Sequence, residues 1–299
     1  MEKENQRNGQ TLNEEGWNFR ERKVQLVTLP ELQRTHKEND PVGNPLKGIY
    51  HCDLIREIGG IVEGMGLRMQ VEEIFAAQNR EKNQPGVVLL PKVEEVYGPN
   101  AVEAHILRRV FANVRILDLD DEEFTTNLAV AFHQKGIQVG FGNQVRICHN
   151  QTILGADRIV SNYGDDKTGL EGIFEQVRQW CANIKEIIIP ERERLRRMKE
   201  VELEPQNLLV LIGDLTAARV AHDTEYEEIR QQGTYPLNQS QISQFTETLL
   251  LTQHRSGRVT LWDVYNAATD LLKADRMEIP NVLPQHLAIT EFLNGHFNE

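Results

Sequence analysis

Cysteine is scarce in this chain of 299 residues, which has three: Cys52, Cys148 and Cys181. Thiols so few and so scattered exclude a disulfide framework and point to a reducing cytosol. Long apolar runs are missing too. Stretches such as Ile187-Ile188-Ile189 fall far short of the roughly 20 residues that span a bilayer, so no membrane partner is expected. Met1-Glu2-Lys3-Glu4-Asn5 lacks the basic-then-apolar layout of a secretory leader. Positive charge is also in deficit: 33 Lys and Arg against 45 Asp and Glu leave a formal charge of −12. A body this acidic gains nothing from its own field on approaching nucleic acid, so any such site must be a local basic patch. What is present, 39% apolar and 26% charged residues, is the composition of a soluble globular protein with a core of ordinary size.

The chain divides by pattern. Residues 1–42 are rich in Glu, Asn, Gln, Lys and Arg, and read as a mostly disordered arm. Within it, Val24–Leu29 suits a strand or a docking segment, expected to be held by a neighbouring chain if it orders. Asp40-Pro41-Val42-Gly43-Asn44-Pro45 marks a boundary. Leu54, Ile55, Ile58 and Val62 predict a helix over about 52–65, and a second helix is expected over Gln70 to Gln78. From Val87 the period becomes two. Val110, Ala112, Val114 and Ile116 alternate against Arg109, Phe111, Asn113 and Arg115. Leu128, Val130 and Phe132 alternate in turn, as do Ile137, Val139 and Phe141, with turns at Gln134-Lys135-Gly136 and Gly142-Asn143. This predicts an antiparallel meander over 107–150 whose apolar face packs on a helix at 168–189. Pro190 is expected to interrupt or kink that helix. Further helices are expected at about 207–232, 240–254, 260–274 and 284–294, with Thr260 and Asp263 spaced as a cap. The fold class is α+β: an α+β unit over 43–190 with a central sheet, and a helical region over 191–299 packed on it.

No catalytic constellation emerges. His51-Cys52 and Cys148-His149 are adjacent pairs, poor chelate geometry because neighbours on a strand point to opposite faces. Gly140-Phe141-Gly142 lies between strands, without the helix that a phosphate loop opens. The run Asp118, Asp120, Asp121, Glu122 and Glu123 reads first as a solvated loop, with a metal-dependent nuclease as the third-ranked alternative. No metal or cofactor is therefore expected. The basic residues are more informative. Arg108 and Arg109 enter the strand whose polar face carries Arg109, Phe111, Asn113 and Arg115, and Arg146 extends this surface from a later strand. Charge for phosphates beside a ring for stacking is what single-stranded nucleic acid requires. The competing expectation is a sheet covered by helices. A second cluster, Arg192 to Lys199, alternates with Glu191, Glu193 and Glu200 and reads as a salt-bridged exposed helix.

In the C-terminal half, Leu211-Ile212-Gly213 is followed by Ser240-Gln241-Ile242-Ser243, then by Gly257-Arg258-Val259-Thr260-Leu261-Trp262-Asp263-Val264-Tyr265-Asn266. This order, with Gly140-Phe141-Gly142-Asn143-Gln144-Val145 upstream, resembles an uncharacterised family of phage- and plasmid-borne proteins over roughly residues 100–275. Ala267-Ala268-Thr269 departs from that family's continuation. The resemblance implies a mobile-element context and no activity. Trp262 and Tyr265, three apart, are expected to anchor helix packing. The leading expectation is a non-enzymatic accessory protein of DNA metabolism, contacting single-stranded DNA or a replication or recombination partner. A protein that binds and inhibits a host factor, such as a defence system, is the second. Homo-oligomerisation fits either.

Overall fold

A computed structural model describes residues 24–33, 49–77, 109–133, 136–146, 151–152, 159–162, 167–224, 236–274 and 279–297. Among these, seven strands form one antiparallel sheet: β1 (Val24–Val27), β2 (Met69–Ala77), β3 (Arg109–Ile116), β4 (Phe124–His133) and β5 (Gly136–Val145) run in order. On the far side of β5 lie β6 (Gln151–Thr152) and β7 (Ile159–Asn162). The expected meander is present in register, Ala112 opposite Val130 and Val130 opposite Val139. The fold is α+β.

One face of the sheet carries the branched residues. Val110, Val114, Val130 and Val139 point to one side and are buried against α2 (His51–Gly64) and α3 (Lys167–Ala182). Phe141 stacks on Trp180 at 5.6 Å between ring centroids. At Gly59 of α2 the Met69 side chain fills the space a Cβ would take, its methyl 2.2 Å from that position.

Three expectations are corrected. Gln70 to Gln78 was expected to be helical, but residues 69–77 are β2. Its register slips between Val71 and Glu73, and that bulge turns an alternating pattern into the apolar spacing of three from Val71 to Ile74. Second, β1 pairs with β2 of its own chain, Val27 opposite Ile74, rather than with a neighbour. The expectations for residues 1–20 lie outside the described residues. Third, the long helix breaks at Asn183, not at Pro190. Asn183 adopts φ −110 and ψ 26, its side chain donates to the Gln179 carbonyl, and α4 (Ile184–Met198) continues past Pro190 without interruption. The expected boundary at residue 190 therefore falls inside a helix.

The C-terminal helices are α5 (Pro205–Thr224), α6 (Gln239–Ser256), α7 (Leu261–Asp270) and α8 (Val282–Phe297). Asn238 with Gln241 and Thr260 with Asp263 form complete capping boxes on α6 and α7, satisfying amides that a helix start leaves open. Gly257 ends α6 at φ 75, the left-handed conformation glycine adopts without strain. A two-stranded ladder of β8 (Glu202–Leu203) and β9 (Val259–Thr260) ties the start of α5 to the end of α6. These helices share one buried cluster with Phe111, Ala129 and Ala131 of the sheet. The sheet is thus covered on both sides. No helix among the described residues is long and apolar enough to cross a membrane.

Candidate functional site

The face of β3 singled out by its Arg and Phe residues is interior. Arg109 is 8% exposed, Phe111 3% and Asn113 4%. Phe111 packs with the C-terminal helices, and the turn Ile279–Asn281 that leads into α8 lies against β3 and β4. Arg115 is half-buried and held by two carboxylates: Nη1 donates to Glu72 at 2.6 Å and Nε to Asp120 at 2.8 Å. Those bonds raise its already high pKa, against a smaller opposing effect of burial. Arg146 is exposed, at the strand end, and its Nη1 donates to the Asp121 carbonyl at 2.7 Å. Arg108 lies outside the described residues, as do Cys148, His149 and Asn150. The face expected to receive single-stranded nucleic acid is therefore not open. Arg109, Phe111 and Asn113 lie instead beneath the C-terminal region, with Phe111 in its buried cluster and the turn Ile279–Asn281 against β3 and β4.

The two charged runs meet each other. The loop 117–123 joins β3 to β4, and Arg192, Arg196 and Lys199 of α4 stand on one helical face at i, i+4 and i+7. Arg192 is the centre of this clamp. Its Nε donates to Asn143 Oδ1 at 2.7 Å and its Nη2 to Thr126 Oγ1 at 2.8 Å. Its Nη1 donates to Asp121 at 3.1 Å and to the Leu119 carbonyl. Arg196 bridges Asp121 and Glu123, each at 2.8 Å, and Lys199 also pairs with Glu123. All three cations lie over the Phe124 ring, and Lys199 also sits 5.3 Å from the Trp262 centroid.

The electrostatics follow from these contacts. Burial lowers the Arg192 pKa against the pull of Asp121. For Asp121, burial works against ionisation. The amides of Phe124 and Glu123 and the charges of Arg192 and Arg196 outweigh it, so its carboxyl titrates below the usual range. Lys199 and Arg196 lower Glu123 likewise, and the amide and guanidinium of Arg68 lower Asp118. The acidic run expected to be a solvated loop is instead paired with arginine and lysine, and among the described residues no group of His, Cys, Asp and Glu is placed to hold a metal ion. The basic run expected to pair within its own helix pairs across the fold instead.

No family model, no curated protein and no solved structure matches this chain. Trp262 and Tyr265, expected to anchor the packing of their helix, do so. Tyr265 is 2% exposed, and Trp262 meets Phe124 edge-on at 6.3 Å beside the clamp. Burial pushes the Cys181 thiol up to about 11, which leaves it protonated and unreactive.

The spacing of Arg192, Arg196 and Lys199 was the available signal for the clamp. It was masked by the interleaved glutamates, which suggested local pairing. Another surface had no signal in residue type. Leu209, Val210, Leu250 and Leu251 are 64%, 49%, 49% and 45% exposed on α5 and α6. Asp214 is the one acidic or basic residue over residues 205–218, and Glu247 the one over residues 237–253.

Proposed function

We propose that this chain is a non-enzymatic interaction protein of a phage or plasmid, acting in the host cytosol on a host protein whose own ligand is nucleic acid. The observation that carries this reading is that the cationic face is spent inside the fold: Arg109 is buried, Arg115 is bound to Glu72 and Asp120, and Arg192, Arg196 and Lys199 are bound to Asp121 and Glu123. What faces outward is the acidic remainder of a chain of −12, including Glu200, Glu202 and Glu204 around β8. Such a surface competes with nucleic acid for a basic groove by its charge, which steers encounter and sets partner choice.

Two measurements test it together. Anisotropy with a labelled single-stranded oligonucleotide at low salt is expected to show no binding by the wild-type protein. Affinity capture from host lysate is expected to retain a basic protein that both salt and excess oligonucleotide release. In the same series Phe111→Ala lowers the melting temperature without changing either result. Oligonucleotide binding by the wild type, with affinity falling steeply as salt rises, would sink the reading and restore direct nucleic-acid contact.

A further inference from the structure

Helix α6 presents a packing stripe to solvent. Glu247, Leu250, Leu251 and His254 follow one another at i, i+3, i+4 and i+7, the spacing of a helix–helix seam, and all four are exposed. The opposite side of the same helix is already used, with Ile242, Phe245 and Leu249 buried in the C-terminal cluster. The helix is therefore apolar on two sides, of which the described residues bury one.

The arrangement of the stripe says what covers the other. It reads acid, leucine, leucine, then histidine with Arg255 beside it. Turned antiparallel about a point between Leu250 and Leu251, the stripe maps onto itself. Leu250 then faces Leu251 of the second copy, and Glu247 faces His254 and Arg255. That reciprocity is the requirement of a two-fold interface, where residue i meets j and j meets i. Charge selects the same place. Two bodies of −12 repel, and contact is least opposed where few carboxylates face each other. On α6 the one carboxylate, Glu247, is answered by the basic helix end. The pairing of β8 with β9 sets the start of α5, which carries the exposed Leu209 and Val210, beside the end of α6.

We propose that α6 is the two-fold interface of a homodimer, formed by antiparallel packing of the Glu247–His254 stripe on its symmetry mate. The inference does not depend on the host-factor reading, since it rests on the exposed stripe of α6 alone.

Sedimentation equilibrium of the full chain tests it. A concentration-dependent species of twice the 34.3 kDa chain mass is expected. Leu250→Glu with Leu251→Glu weakens association about a hundredfold or more, because the seam then buries carboxylates in place of leucines. The positions are exposed, so the melting curve stays cooperative. Glu247→Arg faces His254 and Arg255 of the other copy with like charge and weakens association about tenfold. Glu247→Arg with His254→Glu restores it. Added salt strengthens the wild-type dimer by screening the two −12 bodies. A wild type that stays at 34.3 kDa at every concentration overturns the proposal. So does a dimer indifferent to the leucine substitutions, or a failure of the double variant to recover.

Discussion

The two faces of the central sheet are built on opposite rules. On the side of α2 and α3 the strands present Val110, Val114, Val130, Val139 and Phe141, a continuous branched and aromatic layer. On the side of the C-terminal helices they present Phe111 among Arg109, Asn113, Ala129, Ala131, Gln138 and Gln144, mostly small or polar, and all are buried. The first face is held by apolar area. The second places polar groups in the interior, where each must find a partner or cost free energy. Alternation alone identifies a face as different from its opposite. It does not say that the different face is wet.

The apolar face gives the largest expected effect. Phe141 is fully buried and stacked on Trp180, so Phe141→Ala removes the ring and leaves a cavity, at a cost of about 4 kcal/mol. Urea unfolding followed by tryptophan fluorescence reads it. A loss below about 1 kcal/mol would mean that the two faces do not differ in this way.

On the C-terminal side, acid supplies the next test. His286 of α8 is buried, and burial pushes its imidazole down to about 4 despite the hydrogen bond to the Leu272 carbonyl. The unfolded histidine titrates near 6.5, so between 6.5 and 4 the unfolded chain holds a proton that the folded chain refuses. Stability is then full above about pH 6.5 and falls on the order of 3 kcal/mol as the pH drops to 4. Amide exchange at pH 5 should rise first in α7 and α8, while α2 and α3 stay protected. In His286→Gln the urea midpoint should lose this slope.

How much of this was legible follows from the same contrast. The meander was readable because strands β3 to β5 alternate without interruption, and the caps at Thr260 and Asp263 were readable because they are local. Strand β2 was not, since one bulge at residue 72 mimics a helical spacing. The candidate nucleic-acid face was misread for a physical reason. Arg109, Phe111 and Asn113 have the same alternation whether water or a helix lies above them, and the helices that cover them start more than 80 residues later in the chain. The clamp was hidden likewise, because Arg192 meets Asp121 across a sequence separation of 71.

Within that clamp, burial divides the cations. Arg192→Met keeps the stem and removes the guanidinium that serves Asn143, Thr126 and Asp121, at a cost of about 2 kcal/mol. Arg196 and Lys199 are far more exposed, and Arg196→Met or Lys199→Met should each cost less than about 1 kcal/mol, a loss that salt reproduces in the wild type. Denaturant midpoints at low and high salt separate the three. Equal effects at all three positions would show that the clamp acts as a surface network with no buried centre.

The smallest effect decides what the polar face is for. Asn113 is 4% exposed, its Oδ1 has no hydrogen-bond partner among the described residues, and it stands opposite Ala129 under the C-terminal helices. A buried acceptor left open contributes nothing to stability, and replacing it by an apolar group of similar branching gives back its desolvation cost. Leucine is somewhat larger, so part of that gain goes into repacking against β4. Asn113→Leu should therefore unfold within about 1 kcal/mol of the wild type, as either a small gain or a small loss. If Asn113 instead holds an ordered group between the sheet and α8, the same substitution removes a real hydrogen bond and leaves its partner buried. The loss would then exceed about 2 kcal/mol, and Asn113→Asp, which keeps an acceptor at the same place, would be the milder variant at low pH. A thermal melt of the two variants side by side distinguishes a face whose polarity is tolerated from one whose polarity is used.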